Sequence, residues 1–312
     1  MPMKPIYVLL LDDTEAYYHH LAALLNDPYI TYHLSWVKTV GEAVAQLRTG
    51  NYDVVLVDNV LQHGETGFDL LCHPAFKESK LPAVFIAGQG DEYVAVKAMK
   101  AGAYDYLVKD RFDTSRLMYA VDAALKDHEY RMKTEAHHVE LIKLATTDAL
   151  TGLYNRRHFM DKLQEEISRY ARYRTPLSVA LLDVDHFKKI NDEYGHDAGD
   201  FVLTEMGTLL RSAVRSTDSA CRYGGEEFLI VFPSTDLMGS EVFGERLRAQ
   251  ISKHNFYYDR NYIPVTVSVG LAEAYPEIGN PDLLLKLADK ALYAAKKDGR
   301  NRVISYKYGS GL

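Results

Sequence analysis

Arg222-Tyr223-Gly224-Gly225-Glu226-Glu227-Phe228 lies between two runs of strand-like residues and predicts a hairpin over Ala220–Phe232. Two strands that meet at a Gly-Gly turn pair antiparallel. On a strand, adjacent side chains face opposite ways, so Glu226 and Glu227 are expected on different faces. Outward from the hairpin, the upstream pattern predicts a helix over Arg157–Arg174, a strand over Leu177–Asp183 and a helical region as far as Ser212. Downstream follow a helix over Leu237–Ile251, a strand over Val265–Ala274, a helix over Pro281–Lys297 and a strand over Arg302–Tyr306. Directly paired strands mixed with crossover helices predict an α+β domain with a mostly antiparallel sheet.

The first third reads differently. Short apolar strands at Ile6–Leu11, Ile30–Ser35, Val54–Val57, Ala83–Ala87 and Tyr104–Val108 alternate with helices at Glu15–Leu25, Gly41–Arg48, Gly67–His73 and Tyr93–Ala101. That alternation predicts an α/β domain with a doubly wound, five-stranded parallel sheet, its polar site at the carboxyl ends of the strands. Asp12 and Asp13 end the first strand, Asp58 the third and Lys109 the fifth. Three carboxylates in one pocket repel unless a cation joins them, so a Mg²⁺ site is expected there. Between the halves, Asp113–Leu144 holds no Pro or Gly, and Val121, Leu125, His128, Met132, Glu135, Val139 and Ile142 form a heptad seam. A long helix able to pair as a coiled coil follows. The expected domains are residues 1–125, a helical linker over 126–146, and residues 147–312.

Composition narrows the classes. With 47% hydrophobic and 25% charged residues the chain is of the folded type, and a net charge of -7 argues against a broad electrostatic grip on nucleic acid. Two distant cysteines, Cys72 and Cys221, predict neither a disulfide framework nor a metal site and fit a cytoplasmic location. The run Ile6–Leu11 is too short to span a bilayer and lacks the features of a signal peptide, so no membrane association is expected.

Asp183 and Asp185 stand at the rim of the sheet, where oxygen ligands can hold a hard cation. Asn191 and Asp200 are short polar residues suited to a base edge, and Lys296 and Arg300, four apart near a helix end, are expected to reach one polyphosphate. Asp148-Ala-Leu-Thr-Gly-Leu-Tyr-Asn-Arg-Arg157, Asp183-Val-Asp-His-Phe-Lys-Lys-Ile-Asn-Asp192, Gly195-His-Asp-Ala-Gly-Asp200 and Ala288–Asn301 accompany the hairpin in order. With these motifs the region from about Thr147 to Tyr306 resembles the GGDEF family of diguanylate cyclases, in the spelling Gly-Gly-Glu-Glu-Phe.

The resemblance implies a nucleotidyltransferase that condenses two GTP into cyclic di-GMP and two pyrophosphates. It implies that Asp183, Glu226 and the Val184 carbonyl bind Mg²⁺, with Mn²⁺ as the alternative ion. Asn191 and Asp200 would recognise guanine, main-chain amides near Phe187 and Lys188 and the side chains of Lys296 and Arg300 would hold phosphates, and Glu227 would orient or deprotonate the 3′-hydroxyl. Arg215-Ser-Thr-Asp218 matches the family's product-inhibition site, with Arg246 as a further contact. Because the product is twofold symmetric and one domain holds one GTP, a homodimer is implied.

Residues 4–125 resemble a response-regulator receiver domain. The resemblance implies phosphorylation of Asp58 by a partner histidine kinase, Mg²⁺ at Asp12 and Asp13, phosphate contact by Lys109 and an aromatic switch at Tyr106. Ala87 departs from the pattern, which has Thr or Ser there, and removes a charge-assisted hydrogen bond of about 1.5–3 kcal/mol to the acyl phosphate. Gln89 is the substitute donor that the sequence offers, and Gln62 replaces a common Pro. Two other readings compete with an active cyclase: a non-catalytic sensor of GTP or cyclic di-GMP, and a dimerising scaffold built on the linker helix. The retained Asp183, Glu226, Asn191 and Asp200 favour the cyclase.

Overall fold

A computed structural model describes residues 4–88 and 92–307, and Gln89 lies outside the described residues. The chain forms two compact units that meet in sequence between His138 and Val139.

The first unit contains β1 (Ile6–Leu11), α1 (Glu15–Leu24), β2 (Tyr32–Val37), α2 (Val40–Thr49), β3 (Val54–Asp58), α3 (Gly67–Cys72), α4 (Pro74–Ser79), β4 (Ala83–Ala87), α5 (Glu92–Ala101), β5 (Asp105–Val108) and most of α6 (Thr114–Thr146). Its sheet is parallel in the order β2-β1-β3-β4-β5. Strands β3 and β4 are buried throughout because both faces are covered. Val55, Val57, Phe85 and Leu71 pack on one face, and Leu10, Leu56, Ile86 and Val121 on the other.

The second strand starts later than its sequence suggests. The Asp27 carboxylate accepts from the Tyr29 and Ile30 amides, which holds Ile30 in a turn. A break at Pro74 separates α3 from α4, whose start is capped by the His73 ring accepting from the Ala75 amide. The seam of the long helix is also divided. Val121 is fully buried and Leu125 packs beside it in the core of the first unit, so these two positions are occupied within the chain. Met132, Val139 and Ile142 are exposed, together with Leu141 and Leu144, whereas Glu135 is held by Lys80 at 2.8 Å.

The second unit contains β6 (Tyr154–Asn155), α7 (Arg156–Tyr173), β7 (Leu177–Val184), α8 (Phe187–Tyr194), α9 (His196–Ala213), β8 (Ser219–Gly224), β9 (Glu227–Pro233), α10 (Leu237–Lys253), β10 (Phe256–Tyr258), β11 (Asn261–Ile263), β12 (Val267–Glu273), α11 (Pro281–Lys297) and β13 (Val303–Tyr306). Its main sheet has the order β13-β12-β7-β9-β8-β6. The inner pairs are antiparallel, while β12–β13 and β6–β8 are parallel edges. All eight residues of β7 are buried, since this strand is central and covered on both faces.

One glycine sets the spacing that matters for the site. A side chain on Gly270 of β12 would run into the Ala288 carbonyl and the Leu292 backbone. Its absence lets α11 lie directly on the sheet and carries Lys296 to the end of β7. Short elements such as β6 and the β10–β11 hairpin were not legible in the sequence, because two or three residues show no period.

Candidate active site

Strand β7 delivers Asp183 to the sheet rim, paired in register with Glu227 of β9 on one side and Ser268 of β12 on the other. Paired residues share a face, so the Asp183 and Glu227 side chains stand on the same side of the sheet. The hairpin closes through the pair Gly224–Glu227, with a bulge between Arg222 and Gly224. Glu226 therefore sits in the turn, and only Glu227 belongs to a strand. The two carboxylates differ in position by turn geometry rather than by strand alternation. Neither hairpin glycine has a left-handed backbone, and a Cβ on Gly225 would meet no described atom within 4 Å. Packing does not demand glycine there; the gap leaves space beside the acidic groups.

Several bonds fix the turn. The Val184 amide donates to the Glu226 carbonyl at 3.2 Å, drawing the turn onto the end of β7. Arg222 Nε donates to the Gly225 carbonyl at 2.9 Å, and its Nη1 reaches Asp148 Oδ2 at 3.4 Å. Lys296 Nζ lies 2.6 Å from Asp183 Oδ2. Burial pushes the Asp183 carboxyl above its ordinary range; Lys296 opposes this, while Glu226 and Glu227 add repulsion. Asp183 thus shares this rim with one ammonium and with the charges of Glu226 and Glu227; among the described residues only Asp12, Asp13 and Asp58 bring three ligand atoms within 4.8 Å of one another.

Asn191 lies on α8 and Asp200 on α9, and the two helices pack closely at Gly199. A Cβ on Gly199 would overlap Asn191 Oδ1, so the glycine seats that carboxamide. Helix α8 starts at Phe187 after a left-handed His186, φ 58°, and the first amides of a helix lack intrahelical acceptors. Phe187 and Lys188 supply those amides at the same end of β7.

The helical spacing expected for Lys296 and Arg300 does not hold. Helix α11 stops at Lys297, and Gly299 (φ 111°), Arg300 (φ 61°) and Asn301 (φ 46°) follow in left-handed conformations. The Arg300 amide donates to the Ala295 carbonyl at 3.0 Å, the bond of a glycine-terminated helix end. Two successive non-glycine residues in this region cost about 1–2 kcal/mol each, so other contacts must hold them. Asp185 does so: it is 5% exposed and accepts from Thr266 Oγ1 at 2.7 Å, Ser268 Oγ at 2.7 Å and the Asn301 amide at 3.0 Å. The sequence pointed to Asp185 only as a rim carboxylate, and its partners are distant in the chain.

Arg215, Asp218 and Arg246 line one cavity of about 350 Å³ with Asp236 and Phe243. The Asp218 carboxylate accepts from the Arg215 amide at 3.0 Å, and the Arg246 guanidinium lies 5.2 Å from the Phe243 ring centroid. The structure brings together all three residues of the expected product-inhibition site.

In the first unit, Asp12, Asp13 and Asp58 place carboxylate oxygens within 4.8 Å of one another. Lys109 Nζ is 2.9 Å from Asp58 and 3.0 Å from Asp12. Burial pushes the Asp58 carboxyl up to about 6, against the pull of Lys109. Ala87 is buried at the end of β4, paired with Val108, and Tyr106 lies on β5. Tyr17 was not foreseen: its ring stacks under Lys109 at 4.2 Å, and burial with the nearby Asp12 keeps its phenol protonated. Since the folded Asp58 binds its proton more tightly than the unfolded one, whose ordinary value is 3.8, the metal-free first unit loses stability as pH rises from about 4 to about 6. Asp58→Asn is expected to remove that slope and gain on the order of 2 kcal/mol at neutral pH in chelated buffer. Urea unfolding across this pH range measures it; an unchanged slope would contradict the assignment.

The parallel sheet of the first unit and the mixed sheet of the second are those expected of a receiver-like and a GGDEF-like domain. Family models agree: "Response regulator receiver domain" matches residues 8–122, and "Diguanylate cyclase, GGDEF domain" matches residues 145–302. The chain belongs to the GGDEF-domain diguanylate cyclase family. It is 33% identical over 300 residues to the response regulator PleD of Caulobacter vibrioides, covering 95% of this chain and 65% of that protein. The chain thus spans just under two thirds of that relative's length. Diguanylate cyclase DgcP of Pseudomonas aeruginosa is 41% identical over 159 residues, 51% of this chain and 24% of that protein. Among solved structures, the coiled coil and GGDEF domain of DgcB from Caulobacter crescentus, in complex with c-di-GMP, matches with a TM-score of 0.53 and 34% identity. That match covers 60% of this chain and 99% of the other.

Proposed function

We propose that the second unit condenses two GTP into cyclic di-GMP with release of two pyrophosphates. The observation that carries this reading is the convergence of Asp183, Glu226, Glu227 and Lys296 at one strand end, with the Gly225 gap beside them. Asp183, Glu226 and the Val184 carbonyl would hold Mg²⁺ or Mn²⁺. The ion supplies charge neutralisation at the phosphates. Asn191 and Asp200 bind the guanine edge, and the Phe187 and Lys188 amides with Lys296 and Arg300 bind the triphosphate. Glu227, on the same sheet face as Asp183, accepts the proton of the 3′-hydroxyl as that oxygen bonds to the α-phosphorus of the other GTP and the bond to pyrophosphate breaks. The twofold product requires two such sites face to face, hence a homodimer; the exposed Met132, Val139 and Ile142 of α6 support pairing through that helix.

The boundaries that serve this reading are a receiver over residues 1–125, a linker over 126–146 and a cyclase over 147–312. The receiver takes a phosphoryl group on Asp58 from a histidine kinase, with Mg²⁺ at the Asp12, Asp13 and Asp58 cluster. Lys109 contacts the phosphate and Tyr106 reports the state of the site, with Ala87 weakening the coupling. No helix of the described residues is long and apolar enough to cross a membrane, and the supply of GTP places the reaction in the cytoplasm.

Cyclic di-GMP inhibits by binding at Arg215, Asp218 and Arg246, whose shared cavity supports this role. Arg215→Ala is expected to raise the inhibition constant for added product at least about tenfold with the initial rate unchanged. Unaltered inhibition would remove the site from the account. Incubation of the full chain with GTP and Mg²⁺, followed by nucleotide chromatography, tests the activity itself: a cyclase yields cyclic di-GMP and pyrophosphate, while a sensor or a scaffold leaves GTP intact.

A further inference from the structure

We infer that Asp185 is a positioning residue that places Arg300 for the triphosphate, a deepening that rests on the reading of this unit as a GTP site. Arg300 lies beyond the end of α11, so the helix does not aim it. Its backbone is left-handed, as are those of the residues on either side, and such a conformation persists only where neighbours determine it.

Three contacts supply that determination. Asp185 Oδ2 accepts from the Asn301 amide, Arg248 Nη1 donates to Asn301 Oδ1 at 2.9 Å, and Arg302 Nε donates to the Arg300 carbonyl at 3.1 Å. Of these, Asp185 alone belongs to the β7 terminus. It stands two residues after Asp183, and its own amide donates to the Thr266 carbonyl at 2.9 Å. Ser268 and Thr266 hold its carboxylate from the β12 side. One buried carboxylate thereby couples the acidic rim to the loop that carries the guanidinium. Asp185 touches no substrate in this account; it acts through Arg300.

The bond inventory makes the conservative variant informative. The Asn301 amide can only donate, whereas the Ser268 hydroxyl can donate or accept. An Asn at 185 can keep its oxygen on Asn301 and Thr266 and turn its amide nitrogen to Ser268. The hold survives without the charge. Ala keeps none of it.

The test is calorimetric binding of a GTP analogue with a methylene bridge between the α- and β-phosphates, in Mg²⁺, to the full chain. Asp185→Ala should weaken binding about tenfold, Asp185→Asn less than about threefold, and Asp185→Ala should add nothing in an Arg300→Ala background. Equal affinities of wild type and Asp185→Ala, or full additivity with Arg300→Ala, would overturn the assignment. If thermal melts show Asp185→Ala unfolded, Thr266→Val serves instead, since it removes the hydroxyl that holds the same Asp185 oxygen as the Asn301 amide. It should weaken analogue binding in wild type but not in Arg300→Ala, and unchanged binding overturns the proposal equally. Failure of the wild type to bind the analogue sinks the GTP-site reading instead, and binding without turnover of GTP sinks only the cyclase reading.

Discussion

Glu226→Gln will lower cyclic di-GMP formation from GTP at least about a thousandfold while leaving the domain folded, because it removes one of the two anionic ligands proposed for the cation without changing side-chain volume. The turn that carries Glu226 is fixed by its backbone: the Val184 amide binds the Glu226 carbonyl, and Arg222 binds that of Gly225. Neither bond uses the lost charge. The substitution also relieves repulsion on Asp183, whose carboxyl burial and its acidic neighbours hold above the usual range. Thermal stability in chelated buffer should therefore stay level or rise, separating a lost ligand from a lost fold. Glu227→Gln should be equally inactive yet still bind the nucleotide analogue, since the proposed mechanism has Glu227 act on the hydroxyl rather than on the ion. Retained turnover in both variants would leave the acidic rim without a catalytic part.

The second large effect is expected at a residue with no chemistry of its own. Gly199→Ala places a methyl group where Asn191 Oδ1 now lies and 3.1 Å from Phe187 Cζ. The carboxamide is the end of a side chain and can swing away, so overpacking costs about 1–3 kcal/mol rather than the fold. Asn191 then leaves the position from which it is proposed to bind the guanine edge. A site built on hydrogen bonds loses far more than one built on apolar contact. The KM for GTP should rise at least about a hundredfold, with preference for GTP over ATP reduced to match. Initial-rate measurements on Gly199→Ala, Asn191→Ala and the double variant check this. The double variant should be no worse than Asn191→Ala, and an independent further loss would mean that Gly199 acts through something other than Asn191.

The two halves of the chain were legible for different reasons. In the first, continuous apolar runs such as Val54–Val57 and Ala83–Ala87 announced strands buried on both faces, and the acidic residues that follow them converged as a parallel sheet requires. In the second, the ordered motifs carried more than periodicity did. The helix over Pro281–Lys297 has its expected bounds, and the structure shows Asn280 capping its start and a left-handed Gly299 just beyond its end. The same glycine could have warned that Arg300 leaves the helix, since a helix that ends on a left-handed glycine turns its next residues away from the axis. The heptad seam misled in another way. Its spacing showed an apolar face at Val121 and Leu125 but could not say that the sheet of the same unit covers it.

The sequence by itself determined the kinds of the longer elements, their order and the types of chemical group at the strand ends. Those follow from side-chain period, caps and turn residues within a few positions of one another. Only the tertiary structure decided that Glu226 occupies the turn, that Lys296 lies against Asp183, and that Asp185 is consumed by structure while Asp183 remains at the rim. These outcomes depend on partners 83 and 116 residues away, as for Asp185 with Ser268 and Asn301. Two aspartates two positions apart look alike along the chain. They differ because the folded sheet brings hydroxyls and an amide to one and two glutamates to the other.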